Sequence, residues 1–445
     1  MAIPPTTSRP QSAHLYGRIA CAVLIVLCLS AGPGIALTRW VSDLPFSFDT
    51  WPYVYTFWGA AVLGAALFVL DVVAPITSKP LAVSETLLVL IGAPAALAIW
   101  TLLSAFWTKS PGRTPSQAVL MLLVVLTAVW FGYALTFRYQ VIAMFVGLHL
   151  MTLVSLGLAS TLQSARLPSD EWVGMFGHPD ALSAAGGLGV ITAVGALLFA
   201  KTVWLRVVIA VGVVADGAVV VMAESITGWI ALGGAVSAFA VVLLARGLAT
   251  QGRSMRTFRG VGATIVAAIV VTVPWSFKFV ADRLDDSSLS ARTKIWDFVL
   301  DSVEDRWLVG FGFQSFWDDD PRVTEHFDRT GQLYDSAHST FFDTLLFLGG
   351  IGLLLLLVVV ALGVGRVWWE ALGGQSWAMA WWTAVATFAF IENVTESMIA
   401  MHSIFWVLLI APGFAAVRYT AAMSDIDKAA ARRPNQPYTA SYTYQ

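Results

Sequence analysis

Residues 337–360 read AHSTFFDTLLFLGGIGLLLLLVVV, and this stretch decides the fold because polar sequence gives way within it to an almost unbroken apolar run. The apolar part matches the roughly 20 residues that an α-helix needs to cross a bilayer. The segment before His338, which we call the large loop (278–337), holds 13 of the 28 acidic residues and seven of the 26 basic residues. A polar segment therefore leads directly into a membrane-spanning helix.

The same apolar pattern recurs along the whole chain. Hydrophobic residues make up 58% of the sequence and charged residues only 12%, whereas about a quarter of a soluble domain is charged. We predict an all-α polytopic integral membrane protein with about twelve transmembrane helices and one large outward-facing loop. The predicted spans are 19–38, 53–73, 82–106, 116–136, 139–160, 181–200, 204–222, 228–245, 260–277, 339–363, 376–391 and 403–418.

Positive charges predict the orientation of these spans. With the N-terminus in the cytoplasm, fifteen Lys and Arg residues fall in the tails and short cytoplasmic segments, against four in the short outward loops. The C-terminus then returns to the cytoplasm and the large loop faces outward. The predicted organisation is a disordered cytoplasmic N-terminus (1–18), helices 1–9 (19–277), the large loop (278–337), helices 10–12 (338–418) and a disordered cytoplasmic tail (419–445).

Several kinds of site have no support in the sequence. Cys21 and Cys28 lie one heptad apart in the first span, too far apart for a disulfide, and are interpreted as packing residues. No Cys or His cluster has metal-ligand spacing. The acidic run 318–320 is interpreted as solvated rather than as a cation site. The phosphate-binding pattern GxxxxGK[ST] is absent, so ATP-driven transport by this chain alone is unsupported.

The large loop contains an amphipathic segment, SLSARTKIWDFVLDSV (288–303). Its apolar residues recur at spacings of three and four, which predicts a helix. We expect this helix to lie on the membrane with Trp296 at headgroup depth. The apolar face comprises Ile295, Trp296, Val299, Leu300 and Val303, and the polar side comprises Arg292, Lys294, Asp297 and Asp301.

Three residues on the outward side have side chains suited to chemistry. His338 can accept a proton near neutral pH, although its position alone favours an anchoring role. The guanidinium of Arg292 matches phosphate oxygens, and a snorkelling arginine explains it equally well. Glu396, between the last two spans, is either functional or part of a solvated loop. Lys294 is expected to be solvated, and the mid-span His149 to bond a neighbouring helix.

Taken in order, the motifs of the chain resemble the bacterial O-antigen ligase and exopolysaccharide polymerase superfamily, and within it the exopolysaccharide-production type. The resemblance runs from about Trp172 to Trp406. It is carried by RTKIWDFVLDSVEDRWLVGFGFQSF, AHSTFFDTLLFLGGIG, FGHPDALSA and NVTESMIAMHSIFWVL. The matching positions are Arg292 with Trp296, Gly310 with Gly312, His338, and the pair Gly349-Gly350.

The chain departs from the family pattern at three positions. Ser339 follows the histidine where the family usually has Asn, and Asp180 stands where Asn is typical. Ile226 replaces an Arg or Lys that often follows the serine of AESITG. The second phosphate-binding arginine implied by the family must therefore come from elsewhere, and Arg166 is the candidate.

The resemblance implies a metal-independent glycosyltransferase without a cofactor. Its donor would be a glycan linked to polyprenyl pyrophosphate. Arg292 would hold the pyrophosphate, and His338 would deprotonate the acceptor hydroxyl, so both are implied catalytic residues. The candidate substrate-binding residues are Arg166, Glu396, Lys294 and Trp296.

We therefore predict a polysaccharide polymerase of the bacterial inner membrane. The alternatives are a ligase to another acceptor and, from a different class, a lipid-linked sugar transporter or flippase. A transporter should show charged residues inside its spans or broken helices in repeated halves. Only Asp71, Glu85 and Asp216 are acidic near mid-span. Expected partners are an acceptor glycan or lipid, membrane lipid and export components, but not nucleic acid.

Overall fold

A computed structural model of the chain describes residues 9–30, 51–73, 85–250, 260, 287–331, 334–373, 376–397 and 403–431. Within these ranges every regular element is a helix, which confirms the all-α prediction. The α-helices are α1 (Arg9–Ser30), α2 (Trp51–Val73), α3 (Glu85–Leu103), α4 (Thr114–Val129), α5 (Phe137–Thr161), α6 (Pro179–Leu197), α7 (Val203–Met222), α8 (Ile226–Thr250), α9 (Ser287–Val303), α10 (Phe316–Asp319), α11 (Pro321–Thr330), α12 (Thr340–Val360), α13 (Arg366–Gly373), α14 (Trp377–Thr395) and α15 (Ile404–Ala431).

The chain divides into two compact units. The first unit comprises Met1–Ser84, Val129–Ser225 and Ala429–Gln445. The second unit comprises Glu85–Ala128 and Ile226–Lys428, and thus contains the large loop.

Nine helical segments of the described residues are long and apolar enough to cross a membrane, and they coincide with nine of the predicted spans. The predicted total of twelve transmembrane spans is not confirmed. The span predicted at 19–38 is helical as far as Ser30, and the one predicted at 376–391 corresponds to α14, which is not among the nine. The span predicted at 260–277 lies, apart from Gly260, outside the described residues, as does 278–286 of the large loop.

Both ends of the described chain are more helical than predicted. Helix α1 begins at Arg9 and α15 continues to Ala431. Residues 9–18 and 419–431 are therefore helical where we expected disorder, because each continues the turns of the apolar helix beside it. The rest of the two predicted tails lies outside the described residues.

In the first unit, a buried polar cluster joins neighbouring helices. The Nε2 atom of His149 on α5 lies 2.9 Å from a carboxylate oxygen of Asp216 on α7, and Thr152 donates to the other oxygen at 2.5 Å. A Cβ added at Gly189 would meet Asp216 at 2.3 Å, and one at Gly212 would meet His149 at the same distance. The expectation that His149 bonds a neighbouring helix is confirmed, and the small residues give this pair its room.

In the second unit, helix α12 is broken at Gly349, where φ is 67° and ψ is −170°. A neighbouring segment, 307–312, supplies the backbone partners that the broken helix needs. Four hydrogen bonds cross between them: Phe311 N to Leu346 O (3.0 Å), Gly312 N to Phe347 O (2.8 Å), Gly350 N to Trp307 O (2.7 Å) and Ile351 N to Leu308 O (3.3 Å). Non-helical backbone within a span requires such internal partners.

The glycines of the motifs are explained by this junction. Gly310, Gly312 and Gly349 all have positive φ, a conformation that glycine adopts without steric cost. A Cβ at Gly349 would lie 2.3 Å from the carbonyl carbon of Leu308, and one at Gly310 would lie 2.5 Å from that of Phe347. The Gly-x-Gly and Gly-Gly motifs therefore encode one close backbone contact between the large loop and α12.

The acidic run 318–320 is tied to the loop that connects α3 and α4. Asp320 accepts a hydrogen bond from Lys109 Nζ at 2.9 Å and another from the backbone N–H of Arg322 at 3.0 Å, which caps helix α11. Asp318 forms an ion pair with Arg113. Asp320 is only 3% exposed, so the prediction of a solvated run is wrong for this residue. Its charge helps to dock the large loop.

We expect Gly349→Ala to destabilise the protein strongly. The backbone of Gly349 lies in a region of positive φ and extended ψ that is essentially restricted to glycine, at a cost of about 1–3 kcal/mol to other residues, and the contact with Leu308 adds to that cost. The free energy of unfolding of the purified protein in detergent measures the effect. Gly233→Ala in α8 is the matched control, since a Cβ there meets nothing within 4 Å. Equal stability of the two variants would contradict the account of this junction.

Candidate functional site

His338 lies at the turn between the large loop and α12, with a φ of 45°. Positive φ is uncommon for a residue other than glycine and costs about 1–3 kcal/mol, so it persists only where the surrounding structure enforces it. The side chain of His338 is 29% exposed. A strained, partly exposed histidine beside buried polar groups is typical of a functional site.

Ala337, the residue before His338, is held through both its N–H and its carbonyl oxygen. The carbonyl oxygen of Ala337 accepts from the indole N–H of Trp296 at 2.9 Å. The N–H of Ala337 donates to Asp343 Oδ1 at 3.1 Å. Asp343 Oδ1 also accepts a hydrogen bond from the indole N–H of Trp317 at 2.8 Å. Two tryptophans of the large loop and a carboxylate of α12 thus fix the approach to His338.

The residues after His338 are held by the end of α14. The N–H of Ser339 donates to Ser397 Oγ at 3.1 Å, and the N–H of Thr340 donates to the backbone carbonyl of Glu396 at 3.2 Å. The hydroxyl of Thr340 donates to Asn393 Oδ1 at 2.7 Å. The backbone of His338 is therefore fixed from both directions, which accounts for its unusual φ.

The side chain of Glu396 connects the two residues that the resemblance singles out. One carboxylate oxygen accepts from Nη2 of Arg292. The other lies 3.1 Å from Nδ1 of His338. The side chain of Glu396 is only 6% exposed, so the interpretation as part of a solvated loop is wrong. Arg292, Glu396 and His338 form one continuous cluster, which we call the triad.

Arg292 is buried within the protein. Its Nη1 donates to the hydroxyl of Thr227 at 3.0 Å, and the residue is 8% exposed. The segment that carries it forms α9 as predicted. The interpretation as a snorkelling arginine is wrong, because the guanidinium turns inward to Glu396.

The contact with Glu396 assigns the protons of His338. An ionised carboxylate only accepts hydrogen bonds, so Nδ1 of His338 carries a proton and donates it. In the neutral imidazole, Nε2 then has the free lone pair that a general base needs. Glu396 thus orients the imidazole of His338, as a third group orients the base in a nucleophile–base pair.

The electrostatics of the triad raise the pKa of His338. Burial lowers the pKa of His338, but the hydrogen bond and negative charge of Glu396 raise it, with a further contribution from Asp335. The positive charge of Arg292 lowers it, and the net pKa lies above the ordinary value of 6.5. Glu396 is therefore the main group that makes this histidine more basic.

The other predicted substrate-binding residues differ in their surroundings. Lys294 is exposed on α9. Trp296 is 4% exposed and stacks on Phe342, with ring centroids 4.9 Å apart. The expectation that Trp296 lies at headgroup depth is wrong, because its indole supports Ala337 inside the protein. Its position indicates that it holds the turn at His338.

Arg166 belongs to the first unit and is engaged within its own loop. Its Nε donates to the carbonyl of Ala159 at 2.7 Å, and Nη1 donates to Asp170 at 3.0 Å. The guanidinium also lies over the ring of Trp172, 5.2 Å from its centroid. A role as a second phosphate-binding arginine stays a prediction.

Two motifs of the first unit meet each other. Asp180, in FGHPD, accepts a hydrogen bond from the hydroxyl of Ser225, in AESITG. His178 caps α6 by accepting from the N–H of Asp180, as expected for a helix-cap residue. Asp180, one of the departures from the family pattern, thus has a definite partner.

Sequence reasoning missed the residues that support the triad. They are Thr227, Asp343, Asn393 and Ser397. The signal for Asp343 was available, because a carboxylate in the apolar run FFDTLL requires a buried partner. Within the described ranges, no three His, Cys, Asp or Glu side chains converge as metal ligands. The absence of a cofactor stays a prediction.

Comparison with known families gives one match. Residues 209–357 match the family model described as O-antigen ligase. This segment is therefore similar to the O-antigen ligase family. The matched segment is about a third of the chain and includes Arg292, His338 and the glycine motifs, but not Glu396. No curated protein matches the chain.

The family and the apolar helices together support a membrane protein of the glycan ligase or polymerase kind. The resemblance to the O-antigen ligase superfamily is confirmed. The family implies a lipid-linked glycan and an acceptor as substrates.

We expect Glu396→Gln to lower the pKa of His338. Gln removes the charge that raises this pKa, whereas burial and Arg292, which lower it, remain. The pH dependence of carbethoxylation of the peptide that carries His338, resolved by mass spectrometry, measures the shift. Glu370→Gln is the control, because Glu370 pairs with Arg366 in α13. If the pH midpoint of carbethoxylation were the same in wild type and Glu396→Gln, the assigned contact between Glu396 and His338 would be wrong.

Proposed function

We propose that the protein transfers or polymerises glycan from a polyprenyl-pyrophosphate-linked donor at the outer face of the bacterial inner membrane. The observation that carries the proposal is the shared contact of Glu396 with Arg292 and His338. A phosphate-binding cation and a general base thus lie on opposite oxygens of one carboxylate. A displacement at a sugar carbon between a pyrophosphate and an acceptor hydroxyl needs both groups.

In the proposed reaction, the acceptor oxygen bonds to the anomeric carbon of the donor glycan. The bond between that carbon and the pyrophosphate oxygen breaks, and the pyrophosphate leaves with the electron pair. Arg292 stabilises the negative charge that develops on it. We assign this role to the guanidinium because its planar donors match phosphate oxygens.

His338 takes the proton of the acceptor hydroxyl on Nε2. Such general-base assistance typically contributes 10²–10⁴-fold to the rate. Glu396 holds Nδ1–H and stabilises the imidazolium that forms, and the proton then passes to water. The fixed backbone around His338 keeps Nε2 in one direction, so that little reorganisation is needed during the transfer.

The bias of positive charges supports an outward large loop, and both termini are assigned to the cytoplasm. In this arrangement the triad opens to the side from which a flipped, lipid-linked donor arrives. Lys294, exposed on α9, is assigned to the substrate side of the loop. A growing glycan chain is the proposed acceptor, with another glycan or lipid acceptor as the alternative, and export components are proposed partners.

A lipid-linked sugar transporter is the alternative from a different class. The break in α12 at Gly349 favours it, since transporters use discontinuous helices. However, the break is filled by segment 307–312. Two mid-span acidic residues form ion pairs within the protein. Asp71 pairs with Arg18, and Asp216 pairs with His149. A glycosyltransferase therefore accounts for the residues of the second unit better than a transporter does.

We expect His338→Ala and Arg292→Lys to reduce polymer formation by at least about 10²-fold, because each removes a group that acts in the transfer. Unextended lipid-linked repeat units should accumulate on the outer leaflet. Arg292→Lys keeps the charge opposite Glu396, so that the protein still folds. Measurement is by extraction and separation of lipid-linked glycans from cells that carry each variant.

Arg329→Ala in α11 is the matched control and should leave polymer formation unchanged, because the side chain of Arg329 is exposed. Normal polymer from both triad variants would overturn the site assignment. Loss of lipid-linked units from the outer leaflet would indicate flipping instead of transfer.

A further inference from the structure

Arg292 has two roles that conflict. The proposed function assigns its guanidinium to a pyrophosphate, yet Nη2 already donates to Glu396 and Nη1 to Thr227. The side chains of Arg292 and Glu396 are 9% and 6% exposed. A carboxylate and a phosphate present similar oxygen pairs to a guanidinium. An anion that binds Arg292 through Nη2 would therefore compete with Glu396.

The negative charges of Glu396 and of a pyrophosphate at Arg292 also repel each other. Arg292 carries one positive charge, and Glu396 neutralises it at contact distance. A pyrophosphate at the same guanidinium would lie close to the carboxylate, in surroundings where like charges repel much more strongly than in water. Binding of the donor is thus opposed by Glu396 for as long as the carboxylate stays on Arg292.

Glu396 can leave Arg292 without leaving the site. Its backbone is extended at the C-terminus of α14, and its carbonyl is fixed by Thr340. Its second carboxylate oxygen lies 3.1 Å from His338 Nδ1. The two contacts use different carboxylate oxygens, so loss of the contact with Arg292 does not require loss of the contact with His338.

We propose that Glu396 is a placeholder for the donor: the pyrophosphate displaces it from Arg292, and the released carboxylate keeps its contact with His338. This inference rests on the proposed function. It makes His338 a stronger base only when a donor is bound. Activation of the acceptor hydroxyl would therefore follow occupation of the donor site.

The proposal predicts opposite effects of one substitution on binding and turnover. Glu396→Gln removes the competing charge, so farnesyl pyrophosphate should bind the full-length protein more tightly, by about 5- to 150-fold, the usual range of coupling between two sites. Turnover should fall at the same time, because His338 loses its carboxylate. A residue that merely supports the fold would weaken both.

Binding of farnesyl pyrophosphate to the purified full-length protein in nanodiscs is measured by calorimetry, with turnover measured on the same preparations. Glu370→Gln is the control and should bind like wild type. Arg292→Gln should abolish binding in both the wild-type and the Glu396→Gln background. Should Glu396→Gln fail to fold, Glu396→Asp is used, since the shorter carboxylate reaches Arg292 less well and should also tighten binding.

Tighter binding with slower turnover supports the placeholder. Unchanged or weaker binding by a folded variant at position 396 overturns it and leaves the proposed function standing, provided that wild type binds through Arg292. Failure of the wild-type protein to bind farnesyl pyrophosphate, or binding that does not depend on Arg292, overturns both the placeholder and the proposed function.

Discussion

The site depends on one buried carboxylate that serves two partners. Glu396 neutralises Arg292 on one oxygen and orients His338 on the other. A buried guanidinium is costly without a counter-charge, and removal of either partner leaves the other uncompensated. The same carboxylate supplies the basicity of the histidine. The electrostatic requirement of the fold and the chemical requirement of the proposed reaction are thus met by a single residue at the end of α14.

The geometry of the triad is built from backbone contacts at two levels of α12. At its start, the turn at His338 is held by Trp296, Asp343 and Ser397. Further along, the break at Gly349 receives segment 307–312 of the large loop. The described part of the large loop (287–331 and 334–337) is therefore part of the packed structure of the second unit. Arg292 reaches Glu396 because α9 is carried in the same docked loop.

Local patterns predicted much of this fold, and long-range contacts explain what they missed. The apolar runs predicted nine observed spans, and the spacing of apolar residues predicted α9. The same spacing placed Trp296 in the headgroup region, since an apolar face can bury itself in lipid or in protein equally well. Glu396 lies 104 residues from Arg292, so nothing in the local pattern connected them. The glycine motifs were visible, but their close backbone contact required the structure.

The contact between Arg292 and Glu396 can be measured without a substrate. A double-mutant cycle compares the free energy of unfolding in detergent of wild type, Arg292→Gln, Glu396→Gln and the double variant. Because each single change leaves a buried charge without its partner, the double variant should be less destabilised than the sum of the two, by about 0.5–3 kcal/mol. Strictly additive losses would contradict the account, since two residues that do not touch have no coupling energy.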